Sequence, residues 1–474
     1  MEKRKTVGNF IWRLAERFGA RGVTFVVSIV LARILDPDTF GVIALVNVFI
    51  IIFQVFLDSG LGTALIQKKD ADDLDFSSVF YFNLTVCLLL YLILFAMAGA
   101  VAAYFSTPEL KPLLRVMGLS LIISGIKNIQ QAYVSRKMIF KKFFFSTLGG
   151  TLGAAVVGIY LAWKGFGVWS LVAQFLFNNL VDTVILWITV PWRPKKMFSF
   201  ERLKRLLSFG WKLLGVSLIN TLTSSLRSFI IGKKYTTEDL AYYNKGQQFP
   251  QIIALNVETS IDSILLPTMS QAQDDVEEVL RMTRKAIRVG TYVMMPLMVG
   301  LAVCARPLVI LLIKEKWLPC VPYMQILCAL YCFYCVTTTK YNSYKALGRS
   351  DVYLKASILT SVMEILILLL CMPFGVLAIA LGELIGSLCT QILIAVMSKR
   401  LYGYRFRDQV LDVLPNLLIT LLMGAAVYAV LLLGLSPVLT LLIQVTLGVG
   451  LYLLLSKITK NESFGFVWSL LKKN

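Results

Sequence analysis

Residues 13–67 read RLAERFGARGVTFVVSIVLARILDPDTFGVIALVNVFIIIFQVFLDSGLGTALIQ. Two apolar segments, 18–35 and 40–57, flank a short acidic turn, Asp36-Pro37-Asp38-Thr39. Each segment is close to the length of about 20 residues with which an α-helix crosses a bilayer. The first residue of the turn suits the N-cap of the second helix, and the proline after it suits the first helical position. The stretch therefore predicts a membrane-spanning helical hairpin.

A polar stripe runs along each helix of this hairpin. Its members, spaced mainly by three and four residues, are Arg13, Arg17, Arg21, Thr24 and Ser28 on the first helix, and Asn47, Gln54 and Asp58 on the second. Such spacing places side chains on one face of a helix. An arginine near the middle of a bilayer costs at least about 2.5–3.5 kcal/mol, so it is expected to face protein or water. The hairpin is predicted to form one wall of a basic cavity inside a membrane protein.

The composition of the whole chain indicates a membrane protein without metal or cofactor chemistry. Its 474 residues are 57% hydrophobic and 16% charged, with a mean hydropathy of +0.74, whereas soluble domains carry about 25% charged residues. The net charge of +20 lies in short loops between apolar segments, which is typical of cytoplasmic loops and not of a nucleic-acid interface. Histidine, a common general base and metal ligand, is absent. We expect no nucleic acid, metal or cofactor.

The hydropathy pattern predicts an all-α membrane protein with about fourteen transmembrane helices and no soluble domain. Most Lys and Arg residues lie in the loops on the side of both termini, while the opposite loops are short and contain few cations. By the positive-inside rule, both termini are expected in the cytoplasm. The predicted spans centre on residues 16–35, 40–57, 78–103, 113–134, 146–163, 167–190, 210–232, 247–267, 286–312, 321–343, 353–371, 374–397, 413–434 and 437–456.

The chain contains an internal repeat. At a shift of 200 residues, Asp58 falls on Glu258, and the turn DPDTFG lies over TTEDLA. At a shift of 213 residues, Lys127 falls on Lys340. Two halves of six helices each would share one orientation, because six is even. This predicts two similar lobes related by a pseudo-two-fold axis along the membrane normal.

The repeat suggests three parts. We expect an N-lobe at 1–208, a C-lobe at 209–412, and two further helices with a basic tail at 413–474. The end of the first part, 191–208, is a basic cytoplasmic linker that reads PWRPKKMFSFERLKRLLS. Its basic and amphipathic character predicts a helix lying on the inner leaflet. Paired lobes with polar groups at their interface are the architecture of alternating-access transporters. Helices 1, 2, 7 and 8 would then line a central cavity.

Several strings resemble bacterial polysaccharide exporters of the O-antigen flippase type. They are LARILDPDTFGVIALVNVF and FLDSGLGTALIQ near the start, and LAYYNKGQQFPQ, ILLPTMSQAQDD, EKWLPCVPYMQIL and KALGRSD further on. Over nearly its whole length the chain is similar to this branch of the multidrug/oligosaccharidyl-lipid/polysaccharide exporter superfamily. The resemblance implies a V-shaped fold in the bacterial cytoplasmic membrane that flips a polyprenyl-diphosphate-linked oligosaccharide outward during cell-surface polysaccharide biosynthesis. It also implies membrane lipids, a polysaccharide polymerase and chain-length proteins as partners.

The resemblance also points to individual residues. Basic residues on the first helix and around the cavity matter in such proteins, which indicates Arg17, Arg21 and Arg227. Guanidinium groups pair with phosphate oxygens in bidentate fashion, and amides hydrogen-bond sugar hydroxyls. We therefore expect the diphosphate at the three arginines. The alternative is that the arginines extend to phospholipid head groups or pair with nearby acids. The expected sugar ligands are Asn47, Gln54, Asn220 and Gln248.

A coupling ion and two other functions complete the sequence-based hypotheses. Asp58, Glu258 and Asp262 are candidates for binding a coupling cation, H⁺ or Na⁺, although they could instead neutralise nearby Lys or Arg. A multidrug antiporter of the same superfamily would be expected to have an apolar or acidic cavity, to suit cationic drugs. A polytopic glycan polymerase or ligase would need catalytic acids, bases or metal ligands, often on a large outer loop. The outer loops here are short, so we predict a transporter and not an enzyme.

Overall fold

The fold is seen in a computed structural model that describes residues 19–57, 61–68 and 70–466. All regular structure in these residues is helical, and twelve helical segments among them are long and apolar enough to cross a membrane. Each coincides with a predicted span. The first and seventh predicted spans also fall on helices, one of them described only from residue 19 onward. The all-helical membrane fold is confirmed, and the helix positions are consistent with the predicted fourteen.

The chain divides into two compact units, the first ending at Ala241 and the second beginning at Tyr242. The division by sequence repeat into three parts stays a prediction. The helices of the first unit are α1 (19–34), α2 (Pro37–Leu57), α3 (Leu61–Gln67), α4 (Asp73–Tyr104), α5 (Leu110–Met117), α6 (Leu119–Arg136), α7 (Lys141–Trp163), α8 (Val168–Thr189), α9 (Phe200–Lys234) and the start of α10 (Thr237–Gln271).

The second unit continues α10 and adds nine α-helices in its described part. They are α11 (Val276–Val303), α12 (Ala305–Ile313), α13 (Val321–Tyr331), α14 (Tyr334–Ala346), α15 (Ser350–Cys371), α16 (Val376–Tyr402), α17 (Phe406–Ala429), α18 (Pro437–Ile458) and α19 (462–466). Three short 3-10 helices connect them, at Glu315–Cys320, Met372–Phe374 and Val430–Leu433.

The N-terminus of α4 is an acidic junction that joins distant parts of the first unit. Asp72 caps the helix: its Oδ1 accepts the N–H of Asp75 at 3.0 Å, and Asp75 Oδ2 accepts the N–H of Asp72 at 3.2 Å. Asp75 is buried, with Lys68 Nζ 2.6 Å from Oδ2. Arg202 Nη1 at the start of α9 lies 2.6 Å from Asp72 Oδ2. This hydrogen bond is the main cause that lowers the pKa of Asp72 to about 2, against the opposing effect of partial burial.

The prediction of a helix over 191–208 is wrong for its first half. The chain is non-helical until α9 begins at Phe200. Pro191 and a second proline three residues on disfavour a helix, because proline lacks an N–H and pushes the preceding residue towards extended backbone. Trp192 is buried, and its Nε1 donates to Asp73 Oδ1 at 3.2 Å. The segment is therefore anchored to the start of α4 by a buried side chain.

In the second unit, α11 packs against α13, α14 and α17. Its contact with α17 centres on Asp412, whose side chain is buried. Arg284 Nε and Arg288 Nε each donate to this carboxylate at 2.8 Å, and Tyr404 Oη donates at 2.7 Å. A buried carboxylate is tolerated when it is paired and hydrogen-bonded in this way. The junction therefore joins the N-terminal parts of these two helices.

The acidic junction predicts a pH-dependent effect of Arg202→Gln. Because the pKa of Asp72 is lowered from its ordinary value of 3.8, its stabilising effect is present above that value and is lost as pH falls towards about 2. We expect a small decrease in the melting temperature of the detergent-solubilised protein at pH 7, and a decrease that shrinks between pH 4 and pH 2. Arg205→Gln is the matched control, because Arg205 pairs with Glu201 in solvent. A decrease that is the same at every pH would contradict the assignment.

Candidate functional site

Helix α1 packs on α7 and α8 through one apolar face. Its buried Val27 and Leu31 belong to a cluster that includes Ala155 of α7 and Leu171 of α8. Arg21 is exposed, and it therefore lies off this apolar face. The structure thus keeps the Arg21 side chain out of the packed interior of the first unit.

Helices α2 and α9 pack closely and run antiparallel. Leu45 lies beside Gly232, where an added Cβ would come within 2.1 Å of Leu45 Cδ2. One turn further along α2, the ring centroid of Phe49 lies 6.3 Å from that of Phe229. Residue numbers rise along one helix as they fall along the other, which defines the antiparallel register. The missing Cβ of Gly232 allows the close approach.

This register brings several predicted substrate ligands to similar levels. Asn47 and Gln54 of α2 lie within about one helical turn of the level of Arg227 on α9, given the rise of about 1.5 Å per residue. All three side chains are half-buried, whereas Asn220 is exposed. Gln54 Nε2 donates to Ser124 Oγ on α6 at 3.1 Å. One amide donor of Gln54 therefore already holds α2 to α6.

The remaining predicted ligands are divided between the second unit and the undescribed residues. Gln248 is half-buried on α10, and its Oε1 accepts a hydrogen bond from Lys245 Nζ at 3.0 Å. Lys245 is buried, with its Nζ 5.4 Å from the Trp317 ring centroid. Arg17 and Asp58 lie outside the described residues.

The two turns that the sequence repeat relates are in direct contact within the first unit. Thr237 Oγ1, in the TTEDLA turn, donates to Asp38 Oδ1 in the DPDTFG turn. Gly41 is buried at the same contact, and a Cβ there would lie 1.8 Å from the carbonyl oxygen of Thr237. No larger residue fits at position 41 unless the backbone of one turn moves away. The contact therefore depends on glycine.

The two predicted ion-coupling acids on α10 face α14. Thr338 Oγ1 donates to Glu258 Oε1 at 3.2 Å, and Asn342 Nδ2 donates to Asp262 Oδ1 at 2.5 Å. The two acids are four residues apart on α10, and the two donors are four residues apart on α14. Each pair therefore lies on one face of its helix, about one turn apart, and the two faces meet. These two donors are neutral, and the ammonium group of Lys345 also interacts electrostatically with Glu258. Oxygen-rich side chains of this kind can hold H⁺ or a hard cation.

Half-buried Lys127 and buried Lys340 correspond in the repeat but were not predicted as functional. Lys127 Nζ of α6 lies 3.1 Å from Asp182 Oδ2 of α8. Its counterpart Lys340 on α14 is 1% exposed and donates to Gln391 Oε1 of α16 at 3.2 Å. A charged residue inside an apolar span indicates a paired or functional side chain. Both lysines could have been found from the sequence in this way.

A pocket of about 410 Å³ lies between α11 and α19 in the second unit. Buried Asp412 and exposed Glu462 already bind two of its four cations, so its charges are largely balanced. We assign no substrate to it. Among the residues that the structure describes, no group of three or more His, Cys, Asp or Glu side chains could hold a metal ion. The charged residues lining the pocket are Glu277, Arg281, Arg284, Lys285, Arg288 and Glu462.

The fold is that of a known class of multi-pass membrane transporters. A lipid II flippase, MurJ, in an inward closed conformation, superposes with a TM-score of 0.78 over 95% of this chain and 98% of its own, at 16% identity. An inward-facing multidrug resistance MATE family transporter of the MOP superfamily gives a TM-score of 0.59 over 80% of this chain and 95% of its own, also at 16% identity. At such identities the likeness establishes the fold.

Sequence comparison then defines the family. The family described as polysaccharide biosynthesis protein matches residues 30–322, and this chain belongs to it. The succinoglycan biosynthesis transport protein ExoT of Rhizobium meliloti is 29% identical over 320 residues, which are 67% of this chain and 65% of the relative. The lipopolysaccharide biosynthesis protein WzxC of Escherichia coli is 23% identical over 441 residues, 89% of this chain and 88% of the relative. The teichuronic acid biosynthesis protein TuaB of Bacillus subtilis is 25% identical over 281 residues, 58% and 57% of the two chains.

The contact between α10 and α14 predicts a non-additive pair of substitutions. Asn342→Ala removes the donor to the carboxylate of Asp262, and we expect it to lower the free energy of unfolding by about 2 kcal/mol, the cost of a partly buried charged group left unsatisfied. Asp262→Ala with Asn342→Ala should cost less than the sum of the single variants, because the unsatisfied carboxylate is then gone. Thermal and denaturant unfolding in detergent measure both. Additive effects would show that the two side chains do not interact.

Proposed function

We propose that this protein moves a polyprenyl-diphosphate-linked oligosaccharide from the inner to the outer leaflet of the bacterial cytoplasmic membrane during synthesis of a cell-surface polysaccharide. The observation that carries the proposal is membership of the polysaccharide biosynthesis family in a chain with a flippase-like transporter fold. The relatives named for succinoglycan, lipopolysaccharide and teichuronic acid biosynthesis support the substrate class. The distribution of Lys and Arg supports a cytoplasmic position for both termini.

Recognition of the lipid is proposed to rest on its diphosphate. Arg17, Arg21 and Arg227 supply guanidinium groups, which bind phosphate oxygens with fixed geometry. The exposed position of Arg21 and the half-buried position of Arg227 support this role. The sugar hydroxyls would be bound by amides, of which exposed Asn220 is the most accessible. The other proposed sugar ligands are Asn47, Gln54 and Gln248.

Two amides of this set are engaged in the structure, and this limits how they bind sugar. Gln54 donates to Ser124, and Gln248 accepts from Lys245. A sugar hydroxyl would bind each amide alongside its existing partner or in place of it. The existing contacts also fix the orientation of these side chains, which reduces the entropy lost when substrate binds.

The mechanism is proposed to be alternating access, with the contact between the two turns as its outer closure. By the positive-inside rule, the DPDTFG turn lies on the outer side. The hydrogen bond between Asp38 and Thr237 and the close approach at Gly41 then close this side. Release of the lipid to the outer leaflet requires these contacts to break. The three-part organisation at 1–208, 209–412 and 413–474 is part of the same proposal.

The energy for transport is proposed to come from a cation, H⁺ or Na⁺, bound at Glu258 and Asp262, with Asp58 as a further candidate. The hydrogen bonds from the neutral donors Thr338 and Asn342 do not cancel the negative charge of the acids, which supports this role. Membrane lipids surround the protein, and a polysaccharide polymerase and chain-length proteins are proposed to act on the flipped product. No enzymatic step is required of this chain.

The proposed diphosphate site predicts the outcome of a complementation experiment. Deletion of the gene should cause lipid-linked oligosaccharide to accumulate in the inner leaflet, as measured by its accessibility from the cytoplasmic side. Arg21→Ala, although made and inserted, should fail to rescue, because the phosphate loses a bidentate donor. Arg21→Lys should rescue in part, because it keeps the charge but not the planar fork. Full rescue by Arg21→Ala would remove Arg21 from the site.

The proposed outer closure predicts the effect of a covalent link. Asp38→Cys with Thr237→Cys should form a disulfide in oxidant, block flipping, and recover on reduction. Each single variant is a control, because the described native cysteines are buried or half-buried. Flipping is measured by the appearance of the glycan at the outer surface. Undiminished flipping by the cross-linked protein would show that this contact does not open during transport.

A dye-efflux assay on cells that overproduce the protein distinguishes the proposed flippase from a multidrug antiporter.

A further inference from the structure

The buried Lys340 is enclosed on every side by the second unit. Its helix α14 buries residues on all faces, and Lys340 itself is 1% exposed. Among the described residues, its ammonium group has one hydrogen-bond acceptor, Gln391 Oε1, at 3.2 Å. No carboxylate in the described chain forms an ion pair with it. A charge buried without a counter-charge carries a large free-energy cost, which a neutral amine avoids.

The orientation of Gln391 is fixed by its own contacts. Its Nε2 donates to Thr337 Oγ1 at 2.6 Å and to the carbonyl oxygen of Phe333 at 3.3 Å. With both N–H bonds used, only the amide oxygen is presented to Lys340. The amide therefore holds the amine in place by hydrogen bonding but supplies no negative charge.

The first unit contains the same lysine with a different partner. At the shift of 213 residues, Lys127 corresponds to Lys340, and Lys127 Nζ lies 3.1 Å from Asp182 Oδ2. Position 182 corresponds to Ala395, so the second unit lacks this carboxylate. One lysine of the repeat is thus neutralised by an acid, and the other is held by an amide alone.

Several ionisable groups of α14 and of the neighbouring helices have partners other than Lys340. Thr338 and Asn342, which face the acids of α10, are each two residues from Lys340 and so lie about 200° around α14. The acids are therefore on the opposite side of this helix. Ionisable groups on α14 and on the elements that pack around it include Glu258 with Thr338, Asp262 with Asn342, Arg288 with Asp412, Glu364 near Tyr341, Glu383 with Tyr243, Tyr344 with Ser398, Tyr402 with Ser343 and Lys345 near Glu258.

We propose that Lys340 is a proton-binding site of the second unit, and that its loss and gain of a proton are coupled to transport. In the enclosed state the ammonium gives one proton to water, which leaves as hydronium, and the neutral amine stays hydrogen-bonded to Gln391. When the helices move and water enters, the amine takes a proton back. The proton site stands on the geometry of α14 and α16, whereas its coupling to lipid movement rests on the proposed function.

The proton site is tested by the pH dependence of unfolding of the full-length protein in detergent. In wild type, Lys340 carries a proton in the unfolded state but not in the enclosed folded state. The free energy of unfolding of wild type should therefore rise with pH relative to that of Lys340→Met. We expect the melting temperature of wild type relative to Lys340→Met to rise by about 2 °C between pH 6 and pH 9. Gln391→Glu, which supplies a carboxylate of the same shape, should abolish this rise by fixing the charge on Lys340.

The control variant removes the corresponding pair of the first unit. Lys127→Met with Asp182→Leu should leave the rise with pH unchanged, because that lysine is already neutralised. If the pH dependence of wild type, Lys340→Met and Gln391→Glu is the same, Lys340 does not exchange a proton and the proposal is wrong. If Lys340→Met does not fold but Gln391→Glu does, the pH dependence of Gln391→Glu is compared with that of wild type. Equal pH dependence in these two proteins shows that the proposal is wrong.

Coupling is tested in proteoliposomes with a radiolabelled polyprenyl-diphosphate-linked disaccharide as the probe. A pH gradient should stimulate flipping by wild type, and this stimulation should be lost in Lys340→Met and Gln391→Glu while unstimulated flipping persists. Stimulation that survives in both variants would overturn the coupling role. If wild type does not move the probe at all, the proposed function fails, and the unfolding experiment still decides whether Lys340 binds and releases a proton.

Discussion

The low polarity of the bilayer and of the helix bundle is the constraint on which the polar contacts of this protein depend. A charged or polar side chain there needs a partner within the protein, because lipid offers none. The partners differ in kind. Asp412 is matched by two arginines, Lys127 by one carboxylate, and Lys340 by one amide. Exposed Arg21 stands apart, since it lies off the apolar face of α1. The number and kind of partners thus differ from one buried charge to the next.

The helical architecture could be predicted from sequence because each span must satisfy its own backbone hydrogen bonds. This requirement makes a run of about 20 apolar residues a reliable sign of a helix. It also explains the polar stripes, since arginine and amide side chains within such runs must face protein or water. The positions of α1 and α9 could be predicted in this way even though their polar residues lower their hydropathy.

The partners of polar side chains could not be predicted in the same way, because they come from distant parts of the chain. The 191–199 segment looked amphipathic, but Trp192 is buried in a site built by α4 and α6. Gln54 looked like a sugar ligand, yet Ser124 accepts one of its N–H groups. The acids of α10 were named as candidates for a coupling cation, but their hydrogen-bond partners, Thr338 and Asn342, were not foreseen. The four-residue spacing of those donors is visible in the sequence. Only the packing of α14 on α10 shows that they pair with acids of the same spacing.

The two halves of the repeat share the positions of these residues more than the partners of their side chains. The turns it relates meet at Gly41 and Thr237, while its two lysines have different counter-groups. The central claim, that this chain carries a lipid-linked glycan across a bilayer, is tested most directly with purified protein in liposomes. A polyprenyl-diphosphate-linked oligosaccharide placed in the inner leaflet should become accessible to a glycan-modifying enzyme outside, faster than in protein-free liposomes. Equal rates with and without the protein, in a sample shown to be folded, would contradict the account.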